Sequence, residues 1–287
     1  MDGSAWTQRV WLARNLSVGL PAGSSAKASR VAFALAFAGL GIVGLLVGDF
    51  ALVWQRIPIE HLPGRTFFAY AAAAVELLCG VGLLLASTSR LASRVLVVFL
   101  LLWVVLLKLP AVVLVPQMEA TWLGFGEIAA MLAGAWVLLA GNAGEWEQRH
   151  LRFAIGDSGI RCARFLLLIS LPMIGLSHFV YSKETAGYVP AWMPFPLGWA
   201  YLTGAGSLAA CAGILFAFWP RLAATLEAAM LGIITLLVWG PGLFALPPDR
   251  THCTAFLISS AIACGAWVVA DSYRGVAWLS VGSRERA

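Results

Sequence analysis

"RLASRVLVVFLLLWVVLLKLPAVVLVP", Arg90 to Pro116, decides the class of fold. Between residues 95 and 115 it holds one ionisable side chain, Lys108, and it is long enough to cross about 30 Å of hydrocarbon at about 1.5 Å per residue. Seven more apolar runs of similar length lie along the chain. Together they predict eight membrane helices, over 31–53, 67–88, 95–115, 121–141, 163–182, 197–219, 222–246 and 253–271. Composition agrees: 61% of the 287 residues are apolar and 11% charged, and mean hydropathy is +0.86. A water-soluble domain carries about a quarter charged residues, so soluble readings fall away, nucleic-acid binding among them, despite a net charge of +5. The alternating decades of a membrane β-barrel are absent from the sequence. The fold class is therefore an all-α polytopic membrane protein.

An even number of spans puts both termini on one side. Fourteen Lys and Arg residues, from Arg9 to Arg286, fall on that side; Arg56, Arg65, Lys183 and Arg250 fall on the other. Positive residues gather on the cytoplasmic side, so both termini are expected there. The basic balance speaks for topology and for contact with anionic membrane lipids. No cleavable signal peptide is expected. "MDGSAWTQRVWLARNLSVGL", with Trp6, Trp11, Arg9 and Arg14, reads as an interfacial helix, as does "EWEQRHLRF" from Glu145 to Phe153.

The opening stretch also leads to a repeat. Displaced by 131 positions, "RLA" at Arg90–Ala92 meets "RLA" at Arg221–Ala223, Pro110 meets Pro241, and Tyr70 meets Tyr201. "GAWV" at Gly134–Val137 meets "GAWV" at Gly265–Val268. Matched Pro, Trp, Arg and Tyr at one offset read as duplication. The expected layout is an interfacial segment over 1–30 and a first four-helix repeat over 31–141. A cytoplasmic linker over 142–162, a second repeat over 163–271 and a tail over 272–287 follow. Four spans per copy give both copies the same orientation, as two four-helix bundles side by side.

Five cysteines are scattered with no C-x-x-C, which argues against a thiol–disulfide relay. His61, His150, His178 and His252 show no i, i+4 pairing, and metal or haem ligation is not expected.

Between the fifth and sixth spans lies "SHFVYSKETAGYVPAWMPFPLGWAYLTGAG", Ser177 to Gly206. It is followed by "RLAAT" and a helix ending in "WGP". This stretch, over about 175–245, resembles the DoxX-like family of small four-helix membrane proteins. "FFAYAAAAVELLCGVGLLL" in the first copy keeps that family's Glu-bearing second helix. The resemblance implies a four-helix unit in the bacterial inner membrane, near envelope redox or stress physiology. Because this chain is doubled, the family's oligomeric state does not carry over.

Ionisable residues inside spans cost roughly 2.5–3.5 kcal/mol each on insertion scales, and so demand a reason. The first copy holds Asp49, Glu76, Lys108 and Glu127, all counted to the extracytoplasmic half, with Lys108 and Glu127 level on neighbouring helices. Two readings stand side by side: Lys108 neutralises Glu127 or Glu76, or the group forms an outward polar pocket for a proton or cation. At the offset, Glu76 becomes Ser207, Lys108 becomes Trp239 and Glu127 becomes Ile258, so the second copy is expected to have an apolar interior. Glu227, near a helix end, is expected to snorkel to the cytoplasmic surface. His178, Lys183, Glu184, Trp192 and Tyr201 gather near the second mouth. They serve there as an aromatic belt and solvated charges, or as contacts to a quinone, isoprenoid or lipid. The loops around prolines are expected to be non-helical. No catalytic motif is evident. A protein that binds such a ligand or assists a partner is the expected function, and a proton-coupled transporter or membrane enzyme the alternative.

Overall fold

The computed structural model describes residues 24–51, 55, 63–244 and 249–282. The amino-terminal interfacial expectation lies outside them. Among the described residues eight helices are long and apolar enough to cross a membrane: α1 (Ser24–Val47), α2 (Arg65–Leu84), α3 (Ser89–Leu114), α4 (Glu119–Gly141), α5 (Gly156–Val180), α6 (Pro196–Leu215), α7 (Pro220–Phe244) and α8 (Arg250–Ser272). The protein is a polytopic all-α membrane protein, as composition dictates. Bounds move by a few residues. α5 starts at Gly156, ahead of the expected 163, because the amphipathic "GDSGIRCARF" continues the apolar helix toward the interface. The linker before it carries a short helix, Glu145–His150, and a 3-10 turn, Arg152–Ala154.

Each helix packs on the next in chain order, α8 closes on α1, and α4 meets α8 across the middle. The two sets of four thus share one core, in which Phe33, Phe37, Leu96, Met131, Leu167 and Ile258 are all enclosed. Of the apolar stretches, 72% of α4 and 56% of α8 are buried, against 22% for each of α3, α6 and α7. The small residues of "GAWV" permit this closeness. A Cβ built on Gly134 would stand 2.6 Å from the Cα of Gly265, so only glycine fits where these helices touch.

Both third spans contain a π-helical turn, Val104–Lys108 in α3 and Thr235–Trp239 in α7. The starts of α2, α3 and α4 at residues 65, 89 and 119 are matched at 196, 220 and 250 by α6, α7 and α8, a spacing of 131 throughout.

One face of the bundle carries the chain's tight turns. There the α6–α7 turn and the segment after α8 hold each other through Trp219 N–H to Ser280 O (2.9 Å) and Gly282 N–H to Ala217 O (3.0 Å), with Arg221 over the Trp278 ring at 4.0 Å. The linker helix is fastened to the same face. The Arg94 guanidinium donates to Glu147 Oε1, with its Nε at 2.9 Å, and Gly144 N–H donates to Glu147 Oε2 at 3.0 Å. Burial alone would push the Glu147 carboxyl up, but Arg94 and the neighbouring backbone N–H groups hold it below the usual glutamate range.

Candidate functional site

The four ionisable residues of the first half do not converge; they divide among three places. Asp49 lies just beyond the end of α1, outside the span to which sequence counting assigned it. Gly48, with φ of 71°, ends the helix in the left-handed conformation glycine tolerates and turns the chain there. The Asp49 carboxylate accepts from Arg65 Nε at 2.9 Å, where α2 begins, and lies 3.9 Å from Arg250 Nη2, where α8 begins. Burial opposes its ionisation. The Arg65 hydrogen bond, the Phe50 N–H and the charges of Arg65 and Arg250 outweigh that and hold it below the usual aspartate range.

Glu76 is 1% exposed and sits nearer the α2–α3 turn than the extracytoplasmic end that counting assigned it. Its partner is Gln55, from the loop between α1 and α2, whose Nε2 donates to Glu76 Oε1 while its Oε1 accepts from Ala51 N–H at 3.0 Å. Gln55 is itself only 2% exposed. Phe50, packed on Ala69 and Ala72 and edge-on to Trp103 at 5.7 Å, anchors the same loop. Sequence reasoning missed Gln55. A lone glutamine beside Arg56 in the loop between α1 and α2 carries no periodic signal.

Lys108 ends the π-turn of α3, and the acid within its electrostatic reach is Glu127 rather than Glu76; Glu119, at the start of α4, also acts on Glu127. The Lys108 ammonium lies so near Gly124 that a Cβ there would be 3.0 Å from Nζ. Lys108 and Glu127 thus lie within charge–charge range across the α3–α4 hairpin.

At the second mouth, His178 Nδ1 is 2.7 Å from Thr203 Oγ1, which ties α5 to α6. Tyr201 stacks on Phe179 with centroids 5.7 Å apart. Lys183 and Glu184 are exposed, and Trp192 is 73% exposed, so these three face outward rather than into a shared site. The loop differs from expectation in one respect. Ser182–Gly187 coils into a short helix, since the prolines that forbid helix begin only at Pro190.

Glu227 corrects the expectation of an apolar second half. It is 2% exposed, turned inward from α7, and accepts from Ser207 Oγ at 2.8 Å. The snorkelling argument failed because helix rotation, not depth, decides where a glutamate points, and Glu227 lies on the face toward α6.

A shallow cleft between α1 and α8 encloses room for about one water molecule, about 10 Å³. Leu40, Val43 and Val47 give it an apolar wall; Asp49, Arg250 and Thr254 give it a polar end. Arg250 Nη2 donates to Phe50 O at 2.9 Å. Thr254 is 2% exposed, and among the described residues its hydroxyl has no hydrogen-bond partner. Among the described residues no cluster of His, Cys, Asp or Glu is placed to hold a metal ion.

Eight apolar helices around one core, counted among the described residues, define a multi-pass membrane protein. No family model, curated protein or solved structure matches the chain.

Proposed function

We propose that this chain is a duplicated DoxX-like protein of the bacterial inner membrane that binds a quinone, an isoprenoid or another lipid through the α1–α8 cleft. The cleft carries the reading. Its apolar wall suits a hydrocarbon chain, while Arg250 and the unpartnered Thr254 hydroxyl can donate to a carbonyl or phosphate oxygen at its polar end. Duplication is supported by the common 131-residue spacing of helix starts and π-turns, and by the Gly134–Gly265 contact between copies of one motif. Cytoplasmic termini are supported by Arg90, Arg94, Arg164 and Arg221 gathered on the face of the tight turns.

Native mass spectrometry of the protein in mild detergent, with extraction of bound lipid, tests the reading. A stoichiometric quinone or isoprenoid is expected, and Arg250→Ala should reduce its occupancy about tenfold, as the loss of one charge-assisted hydrogen bond implies. A clean unliganded mass with only bulk phospholipid overturns it.

A further inference from the structure

Each half of the molecule buries one glutamate, and the two come from different helices. Glu76 stands on the second helix of the first half; at the 131-residue spacing its place is taken by Ser207 on α6. The acid reappears across the hairpin at Glu227 on α7, whose counterpart in the first half is Leu96 on α3, fully enclosed. Because Ser207 Oγ donates to Glu227 Oε1 at 2.8 Å, the second carboxyl lies beside the residue that corresponds to Glu76 in the first half. The side chain that carries the acid has moved, and the acid has stayed.

The partners say what such an acid does. Gln55 Nε2 donates to Glu76 and Ser207 Oγ to Glu227; both donors are neutral. Among the described residues no Lys, Arg or His pairs with either carboxyl. The titratable groups in their electrostatic reach are thiols, Cys79 one turn along α2 from Glu76 and Cys211 on α6 beside Glu227. Among the described residues Glu227 Oε2 is buried with no hydrogen-bond partner. A carboxylate in that setting bears the full desolvation cost of a buried charge with no cation to offset it, whereas a carboxylic acid bears only the smaller cost of a buried polar group. Residues expensive inside a membrane mark ion and proton sites.

We propose that Glu76 and Glu227 are paired interior proton sites, one in each half, each a carboxylic acid held neutral against a single uncharged hydrogen-bond donor. This is independent of the α1–α8 cleft. A cleft without lipid would leave it standing, and the reverse also holds.

Infrared spectroscopy of the full-length protein at about pH 7, far above the ordinary glutamate value of 4.5, reads the sites directly. A protonated-acid C=O band that shifts in D₂O is expected, losing about half its intensity in E76Q, half in E227Q and nearly all in the double variant. Absence of the band, or equal intensity in all variants, overturns the proposal. Glu76→Ser combined with Leu96→Glu rebuilds the second arrangement in the first half and should restore the band. A folded double variant without it overturns the equivalence of the two sites. Should the variants misfold, dicyclohexylcarbodiimide on the unaltered protein decides. The acid proton passes to a carbodiimide nitrogen, the carboxyl oxygen bonds to the central carbon, and the adduct rearranges to a stable N-acylurea with nothing lost. Peptide mapping should place adducts on Glu76 and Glu227. Adducts confined to exposed acids such as Glu145 would overturn the assignment.

Discussion

Changing Gly134 to Ala should destabilise the protein by about 3 kcal/mol, near the upper end for overpacking, although the same change in an open helical position stabilises. The new methyl would stand 2.6 Å from the backbone Cα of Gly265 and 3.0 Å from its carbonyl oxygen, and backbone cannot rotate away as a side chain does. α4 and α8 must separate, and the contacts of α4 with α3 and α5 and of α8 with α1 and α7 loosen with them. Gly232, on α7, is the control. A Cβ there meets nothing within 4 Å, so Gly232→Ala should gain up to about 1 kcal/mol from helix propensity alone. Thermal unfolding in detergent, followed by circular dichroism, should show midpoints displaced in opposite directions. Equal midpoints would mean that α4 and α8 do not meet at this distance.

The second large effect is expected at the linker. Arg94→Ala removes the cation that faces Glu147, a carboxylate whose residue is 0% exposed, and should cost about 1–3 kcal/mol. Arg94 itself keeps a 35% exposed side chain, which holds the figure below that of a fully buried pair. The pH dependence follows from the direction of the Glu147 shift. Its carboxyl titrates lower when folded than its ordinary value of 4.5, so the stabilisation is complete above about 4.5 and lost as pH falls through the depressed folded value. The unaltered protein should therefore lose stability over that acid range, and Arg94→Ala should flatten the slope. An unchanged slope would remove Glu147 from the account.

How legible was this molecule in its sequence? The eight spans were, because hydrocarbon thickness imposes a length on each helix and almost no other sequence satisfies it. The eventual contact of Gly134 with Gly265 was visible only as a shared motif, since sequence periodicity cannot say which helices become neighbours. Facing was the harder matter. A helix apolar all round has no polar side from which to infer its rotation, so Glu227 could not be assigned to the interior from its own surroundings. The clue lay across the hairpin, in Ser207, level with it on α6. Asp49 was misplaced for a simpler reason: Gly48 ends α1 while the apolar composition runs on. Glu76 was recognised as an interior acid, but its partner Gln55 came from the segment between α1 and α2, and loops give no register from which reach can be counted.

The meeting of α4 and α8 has a further consequence once the linker between residues 142 and 155 is set beside it. Were the halves separate polypeptides, their union would obey mass action and fall apart on dilution in the membrane. A short covalent bridge replaces that search with a local concentration on the order of millimolar, whatever the abundance of the protein. The union of the halves, carried by the α4–α5, α8–α1 and α4–α8 contacts, therefore never has to capture a partner by diffusion.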